Sequence, residues 1–143
     1  MAKNSNFIIG IAGHANHGKT TLAETIAGKR TKTKEPEKQT GRTGRTKIIQ
    51  WNPDPGKTIA LLDVPGAPKY LKNTIRGLCR VDLAILVIAA DEGVMPQTRQ
   101  HLKILEFFGA KGGGIVISKT DTVDAETCSL AELEAAETVD PFG

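Results

Sequence analysis

Gly13, His14, Ala15, Asn16, His17, Gly18, Lys19 and Thr20 form a G-x-x-x-x-G-K-T string between an apolar run, Phe7 to Ala12, and a segment of helical character from about Lys19 to Ala27. No other feature narrows the possible folds so far. The apolar run reads as a buried strand, so the string must carry the chain from a strand end into the first turn of a helix. Its glycines let the backbone curl without a Cβ in the way. Successive N–H groups, together with the helix N-terminus, then direct positive partial charge into the curl. Such a cradle suits a phosphate. In that setting Lys19 reaches the terminal phosphates of a nucleotide and the Thr20 hydroxyl ligates Mg²⁺.

The rest of the chain continues the alternation of strand and helix. Residues 29 to 46 lack apolar periodicity and predict an exposed loop. Ile48 to Trp51 and Thr58 to Asp63 are strand-like, and the turn-forming Asn52 to Gly56 between them predicts a hairpin. A loop entering a helix is expected from Ala67 to Arg80, then a central strand over Leu83 to Ala90. The next helix should start near Pro96 and end at Gly109, with Leu102, Leu105 and Phe108 on one face. Gly114 to Ser118 is a further strand, and Ser129 to Glu137 a helix that Ser129 and Glu132 could open as a capping box. This order predicts an α/β domain with a mostly parallel sheet covered by helices on both faces.

Two further motifs fall at strand ends. Asp63, Val64, Pro65 and Gly66 place a carboxylate where a phosphate-binding domain holds its metal, and put a glycine N–H near the γ-phosphate. Ser118, Lys119, Thr120 and Asp121 fit the Asn-Lys-x-Asp logic of guanine recognition. The Asp121 carboxylate accepts two hydrogen bonds that guanine offers and adenine does not, and leaving it unpaired against adenine is costly. The alkyl stem of Lys119 would lie over the base.

Composition sets outer bounds. A chain of 143 residues, 39% hydrophobic, makes one domain with an ordinary core. Phe7 to Ala12 is too short for a signal peptide and no apolar stretch can cross a bilayer, which leads to the expectation of a cytoplasmic protein without a membrane role. Cys79 and Cys128 have no metal-ligand spacing. A net charge of +3 names no partner; the cluster of basic residues from Lys29 to Lys47 is read as a solvated loop before an RNA contact. Trp51, Tyr70 and Phe108 are read as packing residues, and His101 and Cys79 as serving the core or a helix face.

With these residues in place, the chain resembles the G domain of elongation factor Tu and the translational GTPases related to it. The resemblance rests on the Gly13 to Leu22 string, on Asp63 to Tyr70 with Asn73, and on Asp91 to Leu102, and it spans most of residues 7 to 121. The selenocysteine-specific elongation factors are the nearest branch. The resemblance implies a P-loop NTPase fold and GTP/GDP binding with Mg²⁺. Nucleotide contacts would run from Gly13 through Thr21, with Gly66, Ser118, Lys119 and Asp121; Thr20, Thr43 and Asp63 would surround the metal. It also implies work beside the ribosome and an aminoacyl-tRNA, through domains absent from this chain.

The chain departs from the family in five respects. Ala67 stands where the family has the histidine that orients the attacking water, so no catalytic residue is assigned. Hydrolysis is expected to fall below the intrinsic rates of about 10⁻⁴ s⁻¹ of small GTPases. Asn16 replaces an aspartate of the phosphate loop. The first switch loop offers Thr43, with Thr46 the alternative, but Gly44 follows where the family has a branched apolar residue. Ser118 replaces an asparagine. Finally, residues 1–143 are expected to form one incomplete GTP-binding domain, without the last strand and helix of the G domain, without β-barrel domains, and with one sheet edge open. The leading expectation is a nucleotide switch of a translation factor that hydrolyses GTP slowly. The alternatives are a non-hydrolysing module that recruits a partner, or a degenerate remnant that binds no nucleotide.

Overall fold

A computed structural model describes residues 6–28 and 45–142. Strand β1 (Asn6–Gly13) leads into α1 (Lys19–Ala27), and β2 (Lys47–Trp51) and β3 (Thr58–Asp63) follow. A 3₁₀ turn, Pro68–Tyr70, precedes α2 (Leu71–Leu78), then come β4 (Leu83–Ala89), α3 (Pro96–Phe107), β5 (Gly113–Ser118), a 3₁₀ turn at Thr120–Thr122 and α4 (Ala125–Val139). Among the described residues five strands form one sheet in the order β2-β3-β1-β4-β5. Only β2 is antiparallel to its neighbour; it pairs with β3 as the expected hairpin, turning through Gly56 at φ +79°.

The sheet is covered on both faces because neighbouring residues of a strand point opposite ways. Ile11, Leu61 and Val87 pack with Ala23 of α1 on one side. Ala12, Leu62 and Ile88, one residue further along, pack with Leu78 at the end of α2 and Leu105 of α3 on the other, where Ala135 of α4 joins them. Each of these side chains is at least nine-tenths buried. Burial of that order contributes roughly 1.5–3 kcal/mol per large aliphatic side chain, before conformational entropy is counted.

Register brings the predicted site residues to one end. Ile11 lies opposite Asp63, Gly13 opposite Val87, and Ala89 opposite Ser118, so the phosphate loop, the Asp63 turn and the Ser118 turn all leave the sheet at its carboxyl edge. That edge is where open α/β sheets place ligands.

Two helices differ from the sequence expectation. The last one begins at Ala125 rather than near Ser129, and its N-cap is Asp124, whose Oδ1 accepts from Thr127 N at 2.8 Å. Ser129 therefore lies inside the helix; the Asp124 cap satisfies an orphan N–H one turn earlier and outcompetes the Ser129–Glu132 box. In α3 the buried stripe is Thr98, His101 and Leu105, while Leu102 is half-buried and Phe108 is 43% exposed. The helix is rotated so that His101 faces the sheet, and Phe108 is not a packing residue of the core. Trp51 and Tyr70 are half-buried, with Trp51 against the α1 side of the sheet. Cys79 and Cys128 are free, half-buried thiols. Among the described residues no helix is long and apolar enough to cross a membrane.

Candidate functional site

The phosphate loop curls through three left-handed residues, Gly13 at φ +138°, Asn16 at +63° and Gly18 at +90°. Gly13 is dictated by space as well as by angle, since a Cβ there would lie 2.3 Å from the Val87 carbonyl oxygen. Gly18 then serves as the N-cap position of α1, which starts at Lys19. Ala15 is buried beneath the loop, Asn16 is exposed at its crest, and Thr21 is exposed on the first turn of α1.

Lys19 is nearly fully buried, and its Nζ donates to the His14 carbonyl at 2.7 Å, so the ammonium spans the mouth of the loop. Burial pushes its pKa down to about 8, against the opposing pull of the Asp63 carboxylate. The Thr20 hydroxyl donates to Asp63 Oδ2. Asp63 is fully buried; burial raises its carboxyl above the usual range, and Thr20 and Lys19 oppose that rise. Its second oxygen, Oδ1, makes no hydrogen bond among the described residues.

A buried carboxylate oxygen without a donor, next to a hydroxyl, is a site that a hard cation completes. Among the described residues no group of three or more His, Cys, Asp or Glu side chains could hold a metal by itself. The pair therefore fits Mg²⁺ better than a protein-caged ion, because Mg²⁺ takes one or two protein oxygens and draws its other ligands from phosphate and water.

Gly66 presses against the phosphate loop. A Cβ on it would come within 2.4 Å of Ala15 N and 2.6 Å of Lys19 Nζ, so no other residue fits there without moving the loop. The turn is held from behind by Thr74 of α2, whose hydroxyl donates to the Pro65 carbonyl at 2.7 Å. Ala67 follows in extended conformation and is 5% exposed, with only a methyl group to offer.

The third motif is tied directly to the first. Ser118 Oγ donates to the His17 carbonyl at 2.6 Å, so the residue in the asparagine position of the guanine motif buttresses the phosphate loop. Lys119 takes the left-handed conformation at φ +57°, and Asp121 is exposed in the 3₁₀ turn beyond it. Thr43 lies outside the described residues. Thr46, its alternative, donates to the Asn73 carbonyl of α2 at 3.2 Å.

Two histidines hold the loop from below. His17 is fully buried, and its Nδ1 accepts from Ala89 N at 3.2 Å. Its Nε2 lies 3.0 Å from Glu92 Oε2 and is the ring's donor, because Nδ1 is already an acceptor. Burial lowers the His17 pKa more than Glu92 raises it, so the contact is a neutral hydrogen bond rather than an ion pair. His101 Nδ1 accepts from Gly13 N at 3.0 Å, and burial pushes its pKa down to about 3. His101 was expected to serve the core or a helix face, and Glu92 carried no assigned role. Both lie in the Asp91 to Leu102 string, and membership of that string was the one sequence signal that could have found them.

A strand–loop–helix phosphate cradle, a carboxylate at the adjoining strand end and a Ser-Lys-x-Asp turn on a mostly parallel sheet define a P-loop nucleotide-binding domain. Residues 4–140 match the family described as the elongation factor Tu GTP binding domain, and the chain belongs to that family. It is 37% identical over 127 residues to the selenocysteine-specific elongation factor of Desulfomicrobium baculatum, and 38% identical over 136 residues to that of Escherichia coli K12. Those matches cover 89% and 95% of this chain but 20% and 22% of the relatives, so the chain spans about a fifth of their length. A crystal structure of bacterial selenocysteine-specific elongation factor EF-Sec superposes with a TM-score of 0.88 at 37% identity, covering 94% of this chain and 23% of that one. Elongation factor SelB of Methanococcus maripaludis, solved with the GTP analogue GppNHp, superposes with a TM-score of 0.78 at 27% identity, over 94% of this chain and 26% of that one. The chain is thus a translation elongation factor GTP-binding domain related to SelB.

Proposed function

We propose that this domain binds GTP and GDP together with Mg²⁺ and works as the nucleotide switch of an elongation factor whose hydrolytic step is slow. The observation that carries the reading is the pairing of an intact cradle with a silent catalytic position. What supports it is that Lys19 Nζ, on the His14 carbonyl, and the Thr20–Asp63 pair lie together at the loop, whereas Ala67, in the position of the family's histidine, is a buried methyl group. A methyl group neither accepts a water proton nor stabilises developing charge.

In this reading Gly13 to Thr21 and Gly66 would surround the phosphates, Thr20, Thr43 and Asp63 would hold Mg²⁺, and Ser118, Lys119 and Asp121 would hold guanine. Mg²⁺ supplies neutralisation of charge on the β- and γ-phosphates. The chain's own groups position those phosphates and exclude alternatives to guanine. A ribosome and an aminoacyl-tRNA, in the cytoplasm, are the partners this reading implies. A domain that binds GTP without turning it over, and recruits a partner in that state, is the second reading, and Ala67 favours it.

Titration calorimetry with GDP, a non-hydrolysable GTP analogue and ATP, each with Mg²⁺, tests the binding. Micromolar or tighter binding of the guanine nucleotides alone is expected; absence of binding by the folded chain would sink the reading. Single-turnover hydrolysis by Ala67→His against the parent tests the slow step. A rise of about 10-fold or more is expected if the histidine position is what limits hydrolysis.

A further inference from the structure

We propose that His17 and His101 are positioning residues for nucleotide binding, each a neutral ring whose Nδ1 accepts a backbone N–H at the carboxyl edge of the sheet, from Ala89 at the end of β4 and from Gly13 at the root of the phosphate loop. Glu92 selects that tautomer in His17. The inference rests on the nucleotide-binding reading above and names what holds its site in shape.

At Gly13 the chain leaves the sheet at φ +138°, and its N–H is taken by His101 Nδ1 across from α3. Ala89 is the last residue of β4, and its N–H is taken by His17 Nδ1 from inside the loop. Two main-chain donors at the carboxyl edge therefore end on imidazoles. A neutral imidazole offers one in-plane lone pair in a fixed direction, and it does so at Nδ1 only when the proton sits on Nε2. A protonated ring would set donor against donor at both places.

Glu92 receives the His17 Nε2–H at 3.0 Å, which fixes the tautomer. The loop carrying Glu92 is itself held by α4, where Glu134 Oε2 accepts from Val94 N at 3.1 Å. The groups that act on the two rings are Glu92, His14 and Lys19 at His17, and Lys19 and His14 at His101. Apart from Glu92 these favour the neutral ring. The consequence for function is preorganisation. The loop's N–H groups are aimed before the ligand arrives, so less ordering has to accompany binding and the phosphates leave more slowly.

The test uses the full chain, with GDP and Mg²⁺ as probe, reading Kd by calorimetry and release by displacement of a fluorescent GDP analogue. His101→Leu keeps the volume but orphans the Gly13 N–H, and should raise Kd and the release rate by about 10-fold or more. His101→Asn puts an amide oxygen near the Nδ1 position and should stay within about 3-fold of the parent. Glu92→Ala should speed release by roughly 2–5-fold, and Glu92→Gln, which keeps an acceptor, should not. A readout independent of folding in the variants comes from ¹⁵N spectra of the three histidines in the parent, where both His17 and His101 should be Nε2–H tautomers at pH 7. An Nδ1–H tautomer at either ring overturns the proposal, as does a folded His101→Leu that binds GDP like the parent. If GDP binds the parent and the variants make no difference, only the positioning role falls. If the parent binds no GDP, the nucleotide reading falls and the role with it.

Discussion

Asp121 and His101 show how much can hang on one side chain and its protonation. Asp121 is exposed at the end of the Ser118 turn, where its carboxylate is open to a base edge. Asp121→Asn exchanges one acceptor for a donor, and is expected to weaken GDP binding by about 100-fold while admitting xanthosine diphosphate, as measured by competition titration. His101 has a different consequence, for stability. Its pKa falls from an ordinary 6.5 to about 3 on folding, so below pH 6.5 the unfolded chain takes up a proton that the folded chain refuses. The unfolded state then binds more protons and stability drops as pH falls. Relative to His101→Asn, the parent should lose about 2 kcal/mol between pH 6.5 and 4.5 by urea denaturation, and equal slopes would contradict a buried neutral ring.

At the scale of elements, the first turn of α4 decides between two caps. Asp124 Oδ1 accepts from Thr127 N, whereas Ser129 sits exposed within the helix. Asp124→Ala should cost about 1 kcal/mol in thermal unfolding, and Ser129→Ala should be near neutral. Most elements were legible in the sequence because their signals are local: an apolar run for β4, a Gly-Lys-Thr turn into α1, an Asn-Pro-Asp-Pro-Gly turn between β2 and β3. The start of α4 was misread because Asp124 and Ser129 are both good cap residues and the helix between them has little apolar pattern. The face of α3 was misread for another reason. Periodicity ranks leucine and phenylalanine above histidine and threonine, but the sheet offered a backbone donor at Gly13 that only a polar side chain could satisfy.

For the whole molecule, ligand and stability are linked. A nucleotide that binds only the folded state at about 100 times its Kd adds about 2.7 kcal/mol. With Mg²⁺, GDP at that excess should raise the melting temperature by about 9 °C, ATP at the same concentration should not, and chelation of Mg²⁺ should remove most of the gain. The three motifs, Gly13 to Thr20, Asp63 to Gly66 and Ser118 to Asp121, were set by sequence alone, because each is a short string whose chemistry depends on residue type and strand-end position. So were the α/β class and the hairpin, through local periodicity and turn chemistry. Only the tertiary structure decided that Asp63 Oδ1 is buried without a donor among the described residues, that Ser118 ties the base motif to the phosphate loop, and that His17, Glu92 and His101 hold that loop from beneath. Those hydrogen bonds join residues 75 to 101 positions apart, and their existence depends on register and burial, which no local string encodes.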